Sequence, residues 1–470
     1  MSESHVGGST EKMSRIPILV VLLSGAFVAI LNQTLLGTAL PHIMSDLELD
    51  ANTAQWLQSA FMLVNGIMIP ITAFLIGTFT TRSLFLAAMS FFAIGTLICG
   101  VAPNFDLLLT GRILQAAGAG IIMPLMQTIM MLIYPKEQRG SAMGMFGLVI
   151  SFAPAIGPSL SGYIVEHFPW RTLFFMVLPI AIINIAIAYF LLKNVTKRTF
   201  PRLDKLSIVL STLGFGGLLY GFSIAGSAGW LSNQVIISMI VGIIALAWFI
   251  LRQLNLKTPI LEFRVFQYKI FTITTVLGMV TFMTMIGAAV ILPLYMQDML
   301  GFSAFESGLA LLAGAILQGI MNPITGRLFD RYGSRYLAII GLGLIVVTTF
   351  MFGMLTAETS FTYIATIHAI RMLGVAMAMM PVTTAGLNSL PDEYIAHGTA
   401  VNNTLRQVSG AIGTALPITI MSTAAIPGKG LEGLIHGVNV SFIVTAIISI
   451  VGLILAFFIH DEKEKKISSR

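Results

Sequence analysis

Charge is what this chain has least of. Aspartate, glutamate, lysine and arginine supply only 10% of its 470 residues, whereas apolar residues supply 56% and mean hydropathy is +0.90. A soluble domain carries about a quarter charged residues, so the composition excludes a water-soluble globular class and makes lipid the bulk solvent. There is one cysteine, Cys99, inside an apolar run; no internal disulfide can form and the redox compartment is not encoded. Also missing are a phosphate-cradling GxxxxGKS/T loop, a CxxC pair, HExxH and GxSxG. The segments between apolar runs are too short for a nucleotide-binding domain. These absences argue against ATP-driven transport and membrane hydrolysis, and neither an enzymatic activity, a cofactor nor a metal is expected.

A membrane span needs about 20 mostly apolar residues, and the chain offers fourteen such stretches between residues 16 and 460. They are apolar all round rather than alternating, which indicates helices and not a β-barrel. With the N-terminus inside, 21 of the 26 basic residues fall in cytoplasmic segments. Only Arg171 and Lys429 lie outside, and Arg112, Arg371 and Arg406 lie within predicted helices. That bias places both termini in the cytoplasm of a bacterial-type plasma membrane. It makes the net charge of +6 a topogenic signal, with no nucleic-acid partner implied. The polar start "MSESHVGGSTEK" precedes a full-length span and does not read as a cleaved signal peptide.

The chain also carries a diverged internal repeat. "GRILQAAGAGIIMP" and "YPKEQRGSA" at helix 4 and its exit correspond to "IRMLGVAMAMMP" and "LPDEYIAHGTA" at helix 12. "FLIGTFTTRSLF" after helix 2 corresponds to "PITGRLFDRYGSRYL" after helix 10. The offset is eight helices rather than six, so two have been inserted between the halves. The expected organisation is a tail at 1–15, a six-helix bundle at 16–192, a linker with two spans at 193–269, a second bundle at 270–460 and a tail at 461–470. Parallel halves of this kind mark alternating-access carriers, which hold substrate between the halves.

"GRLFDRYGSR" at 326–335 resembles the signature loop of the major facilitator superfamily, and "GMFGLVISFAPAIGPSLSG" at 144–162 resembles the helix-5 antiporter motif of its drug:proton members. "LLLTGRILQAAGAG" resembles their helix-4 motif, with Arg112 in the basic position. Together with "LNQTLLGTALPHI" and "LPLYMQDMLGFSAFESGL", these motifs are similar to the 14-helix drug:proton antiporters, of the lincomycin-resistance type, from residue 16 to 460. The resemblance implies an all-α, major-facilitator-type fold of two six-helix bundles plus two inserted linker helices. It also implies proton-coupled efflux of small-molecule drugs or metabolites. The chain departs from the pattern in three places. Ala153 and Ser161 replace two motif glycines, "GTFTTRS" lacks the aspartate and basic tail of the signature loop, and Asn32 stands where many relatives have an aspartate.

Several residues become candidates on these grounds. Gly326, Arg327, Asp330, Arg331, Gly333 and Arg335 form the gating loop, in which Asp330 is expected to pair with Arg331, Arg335 or a basic partner near a neighbouring helix end. Gly147, Gly157, Pro158 and Gly162 give helix 5 a small, kinkable face. Asn32, Gln33, Thr34, Arg112, Gln115, Arg371 and Arg406 are substrate-cavity candidates, since polar groups in a span are retained where they face a cavity or partner. A methionine-rich surface at Met123, Met126, Met283, Met285, Met377, Met379 and Met380 suits varied ligands. Every acidic residue falls at a helix end or outside a helix, so proton coupling points first to Glu306 and Asp298, next to His368, then to Glu166 and Asp106. Without a central carboxylate, neutral, zwitterionic or anionic amphipaths are favoured over cations. Export of an anionic metabolite or lipid precursor is the competing reading, and a non-transporting sensor or membrane enzyme is disfavoured by the duplicated halves.

Overall fold

A computed structural model describes residues 15–196, 198–199 and 203–459. The tails expected at 1–15 and 461–470 lie, Arg15 apart, outside the described residues, as do Lys197 and Arg202 of the linker. The described residues form fourteen long helices: α1 (Arg15–Asp46), α2 (Ala51–Thr78), α3 (Thr81–Val101), α4 (Phe105–Ile133), α5 (Arg139–His167), α6 (Thr172–Leu191), α7 (Lys205–Ala228), α8 (Asn233–Asn255), α9 (Lys269–Leu294), α10 (Ala304–Tyr332), α11 (Arg335–Phe352), α12 (Phe361–Asn388), α13 (Ile395–Ala424) and α14 (Gly430–Ala456). Among the described residues there is no β-strand. Thirteen of these helices are long and apolar enough to cross a membrane. The exception, α13, buries Asn402, Asn403, Thr404, Arg406 and Ser409, a set that only a protein-facing helix can carry.

Polar residues mark where the helices begin. Asp50, Thr80, Asn104, Ser232, Ser303 and Ser360 each accept a backbone N–H from the first turn of the helix they precede. The loops then segregate to two faces. Thr81 after α2 binds Asn194 after α6, Arg139 after α4 binds Asp392 after α12, and Glu262 after α8 binds His397 at the start of α13. Opposite them, Trp170 and Arg171 after α5 bind Asp46 at the end of α1, and Trp230 after α7 binds Thr419 near the end of α13. The first of these surfaces, which also holds Lys136 and Arg331, is called the basic face below, and the other the far face.

Packing within the chain repeats with the offset of eight. α1 packs on α5, α6 and α4 as α9 packs on α13, α14 and α12; α2 and α3 pack on α4 as α10 and α11 pack on α12. Between them, α7 and α8 form a hairpin whose α7 touches α2 of one bundle and α13 of the other. The hairpin is fastened at the basic face by Arg252, which donates to Asp204 at 2.6 and 3.1 Å. Those bonds hold the Asp204 carboxyl down at about 2.

The bundles meet along two seams related by the same repeat, α5 with α10 and α13 with α2. The α5–α10 seam is the tighter, because glycine lets the two backbones touch. A Cβ on Gly144 would lie 2.6 Å from the carbonyl oxygen of Asn322, and one on Gly326 would collide with the carbonyl of Gly140. Gly326→Val is therefore expected to drive the helices apart at the basic face. Spin labels at positions 138 and 332, in a Cys99→Ala background, should report a longer and broader distance distribution in the variant than in the parent. An unchanged distribution would refute this account of the seam.

Candidate functional site

The strongest link across the α5–α10 seam is a carboxylate seated on a helix start. Asp330 accepts the backbone N–H groups of Gly140 and Ser141, each at 2.8 Å, and the Ser141 hydroxyl. The first turn of α5 has unsatisfied N–H groups and the positive end of the helix dipole, so a carboxylate there is stabilised twice. The start of α5 is thus one positive partner of Asp330, on the neighbouring bundle. Arg139 reinforces the closure with bonds to Asn388 at 3.0 Å and Asp392 at 3.5 Å. Deeper in the seam, Asn322 donates to Ser151 at 3.0 Å and Gly147 packs on Asn322 and Met380.

Among the described residues, the other seam has no such carboxylate. In the loop after α2, Thr80 caps α3, and Thr81 is held by Asn194 and Thr196 of the segment leaving α6. Amides join the bundles here instead: Asn403 donates to Gln127 at 2.5 Å and Gln407 to Asn65 at 3.5 Å. Asn65, Gln127, Asn322, Asn403 and Gln407 were not singled out from sequence, although the signal was the one that drew attention to Asn32, an amide inside an apolar run.

Flanking the seams are the buried arginines. Arg112 on α4 is wholly enclosed and donates to Asn32 at 2.8 Å, to Gln115 at 2.9 Å and to the Leu57 carbonyl at 3.2 Å, with Phe61 stacked 4.3 Å away. Gln115 passes the network on to Thr96, so one guanidinium knits α1, α2, α3 and α4 together. Asn32 is thus committed to Arg112 in this conformation rather than open to substrate. Its repeat counterpart Arg371 on α12 binds the Thr284 carbonyl at 2.5 Å and Thr349 at 3.3 Å, joining α9 and α11. Arg406 on α13 lies over Phe282 of α9, 4.8 Å from the ring centre. Arg112, Arg371 and Arg406 each keep one buried nitrogen without a partner.

The remaining candidates scatter. Glu306, Asp298, Glu166 and Asp106 are exposed at the far face. The Glu306 carboxylate is occupied in a capping box, accepting the Ser303 N–H at 2.8 Å and its hydroxyl at 2.9 Å. His368 is buried one turn before Arg371, its ring fitting against Gly314 of α10 and its Nδ1 unpartnered. Thr34 and Gly157 pack together between α1 and α5, Gln33 is half-buried, and Pro158 and Gly162 belong to the far-face half of α5. Of the signature loop, Arg327 and Arg331 are exposed, Arg335 is half-buried, and Gly333 takes φ 85°, a left-handed turn that ends α10. Met126, Met379 and Met380 are buried.

Arg112→Met strips a donor from three enclosed acceptors, each worth about 1–3 kcal/mol when orphaned. Its thermal midpoint in detergent should fall. Asn32→Asp, which sets a carboxylate against the same guanidinium, should melt at or above the parent.

Comparison with known proteins gives this geometry its place. Residues 22–414 match the family model of the Major Facilitator Superfamily. The chain is 57% identical over 447 residues to the uncharacterized MFS-type transporter YcnB of Bacillus subtilis, spanning 94% of this chain and 95% of that one. It is 42% identical to the lincomycin resistance protein LmrB of Listeria monocytogenes over 98% of this chain and all of the relative. It is 30% identical to the multidrug export protein EmrB of Haemophilus influenzae over 85% and 79%. Its fold is shared with the crystal structure of the human organic anion transporter MFSD10, at TM-score 0.70 and 12% identity, covering 94% and 99% of the two chains. With two repeated bundles, paired seams and an alignment that spans nearly its whole length, the chain belongs to the major facilitator superfamily and is a multi-pass membrane transporter, not an enzyme.

Proposed function

We propose that this transporter exports amphipathic small molecules, neutral, zwitterionic or anionic, in exchange for protons, with its basic face in the cytoplasm. Relatives named for lincomycin resistance and multidrug export support drug efflux. The observation that carries the substrate preference is the charge of the interior. Arg112, Arg371 and Arg406 are enclosed with spare N–H donors, while among the described residues every carboxylate lies in a loop or the end turn of a helix. A buried field of that sign favours acceptor-bearing and anionic ligands and opposes cations. The same observation supports an anionic metabolite as the physiological cargo.

Alternating access follows from the seams. In this conformation the Asp330 clamp, the Arg139 contacts and the glycine-lined approach of α5 to α10 all lie toward the basic face, so the carrier is sealed on that side. Opening it requires Asp330 to leave the α5 terminus. Proton carriage is assigned to His368, the membrane-embedded member of the candidate set, because its unpartnered Nδ1 has a vacant position for a proton and its helix contacts α10, which bears the clamp.

Transport in proteoliposomes with an imposed pH gradient tests this reading. Lincomycin or an organic anion should move against its gradient, and a dication should not. Strong dication transport with neither of the others would overturn the preference. His368→Gln should abolish dependence on the pH gradient while Glu306→Gln, which preserves the cap, should not; the reverse result transfers proton carriage to the far-face acids. For orientation, single cysteines in a Cys99→Ala background should react with an impermeant maleimide in intact cells at position 358 and not at position 136.

A further inference from the structure

The three buried arginines are not equivalent. Arg112 bonds through Nε and Nη1, and Arg371 through Nε and Nη2, each to groups of its own bundle, and neither has any exposed surface. Arg406 differs on both counts. None of its nitrogens donates to a described residue, and of the three only Nε is enclosed. The residue keeps 7% exposure where Arg112 and Arg371 keep none, and its two Nη atoms, unpartnered but not enclosed, share in that surface.

The guanidinium is nevertheless held in place. It lies over the Phe282 ring, against which Gly410, one turn further along α13, also packs. With one face on the ring and Nε enclosed, the edge left for a ligand is the pair of Nη atoms, whose parallel N–H groups match the two oxygens of a carboxylate. Arg406 stands 11 residues beyond Ile395, the first residue of α13. That is about 16 Å from the basic-face end, near the middle of a hydrocarbon core about 30 Å thick. An uncompensated charge is costly at that depth, and every described carboxylate lies in a loop or the end turn of a helix, out of its reach. The next residue, Gln407, bonds Asn65 across the second seam.

We propose that Arg406 is the arginine that contacts cargo, receiving the carboxylate of an amphipathic molecule end-on through Nη1 and Nη2, whereas Arg112 and Arg371 hold their own bundles together. The assignment rests on the preference for anionic cargo proposed above and narrows it from a field of three charges to one contact. It requires neither proton coupling nor a direction of transport. Because Arg406 adjoins Gln407, an anion seated there lies beside the amide contact that parts when the second seam opens.

The test is equilibrium binding to the full chain in phosphatidylcholine nanodiscs, with radiolabelled naproxen, an amphipathic carboxylate, and its neutral primary amide as probes. The parent should bind the carboxylate roughly 10-fold or more tightly than the amide. Arg406→Gln should weaken naproxen binding roughly 10- to 100-fold, the worth of a hydrogen bond between charged groups, and leave amide binding unchanged. Arg406→Lys, which keeps the charge without the paired edge, should recover only part of the loss. The thermal midpoint of Arg406→Gln should not fall, since no hydrogen bond to a described residue is removed; a purely structural arginine would lower it and weaken both probes alike. Equal binding of the two probes by the parent, or none, overturns the proposal together with the preference it rests on. A preference that survives Arg406→Gln, or full recovery in Arg406→Lys, overturns the proposal alone. Displacement of naproxen by phosphatidylglycerol added to the discs also overturns it, and identifies a lipid phosphate as the occupant.

Discussion

The arrangement depends on one carboxylate at one helix terminus. Asp330 reaches out of the second bundle to the first turn of α5 and takes two backbone N–H groups that have no partner within their own helix. Neither side of that contact is costly by itself at the membrane surface, and together with the Arg139 bonds to Asn388 and Asp392 they tie the two bundles at the basic face. The glycines below it act by permission: with no Cβ at Gly144 or Gly326, the helices approach closely enough for the carboxylate to arrive. Such an interaction is strong when formed and absent after a movement of a few ångströms, which is the property a two-state carrier requires.

The two seams show how a duplicated fold diverges. The repeat would put a second carboxylate in the loop after α2, facing the start of α13. That loop instead carries Thr80 and Thr81, bound to its own helix and to the segment leaving α6. At the start of α13, His397 accepts the backbone N–H of Glu262 from the linker. The inserted hairpin therefore occupies the side of the molecule where the clamp was lost. Its α7 bridges α2 and α13 and supplies by packing part of what charge supplies on the opposite side.

Asn32 illustrates how far a sequence reading reaches. An amide deep in an apolar run has to have a partner, and that much is dictated by the energetics of polar groups in hydrocarbon. Which partner it has is a matter of distance: the Arg112 guanidinium is 2.8 Å away, on a helix eighty residues later in the chain. The same holds for Glu306. Its spacing from Ser303 is a capping box, legible as local chemistry, and the structure shows the carboxylate engaged in it. The amides that cross the second seam, Gln127 with Asn403 and Asn65 with Gln407, went unread because a lone polar residue in a span does not reveal which neighbour it faces.

The sequence by itself determined the helices, their number, the offset of eight and the sign of the interior, because each follows from local hydropathy, short-range caps and the segregation of charge. These are properties of ten or twenty consecutive residues in lipid. Only the tertiary structure decided that Asp330 reaches the first turn of α5, and that Arg112 and Asn32 satisfy one another. Those outcomes turn on the rotation and approach of helices far apart in the chain, and small residues such as Gly326 set that approach without themselves carrying any chemistry to be read.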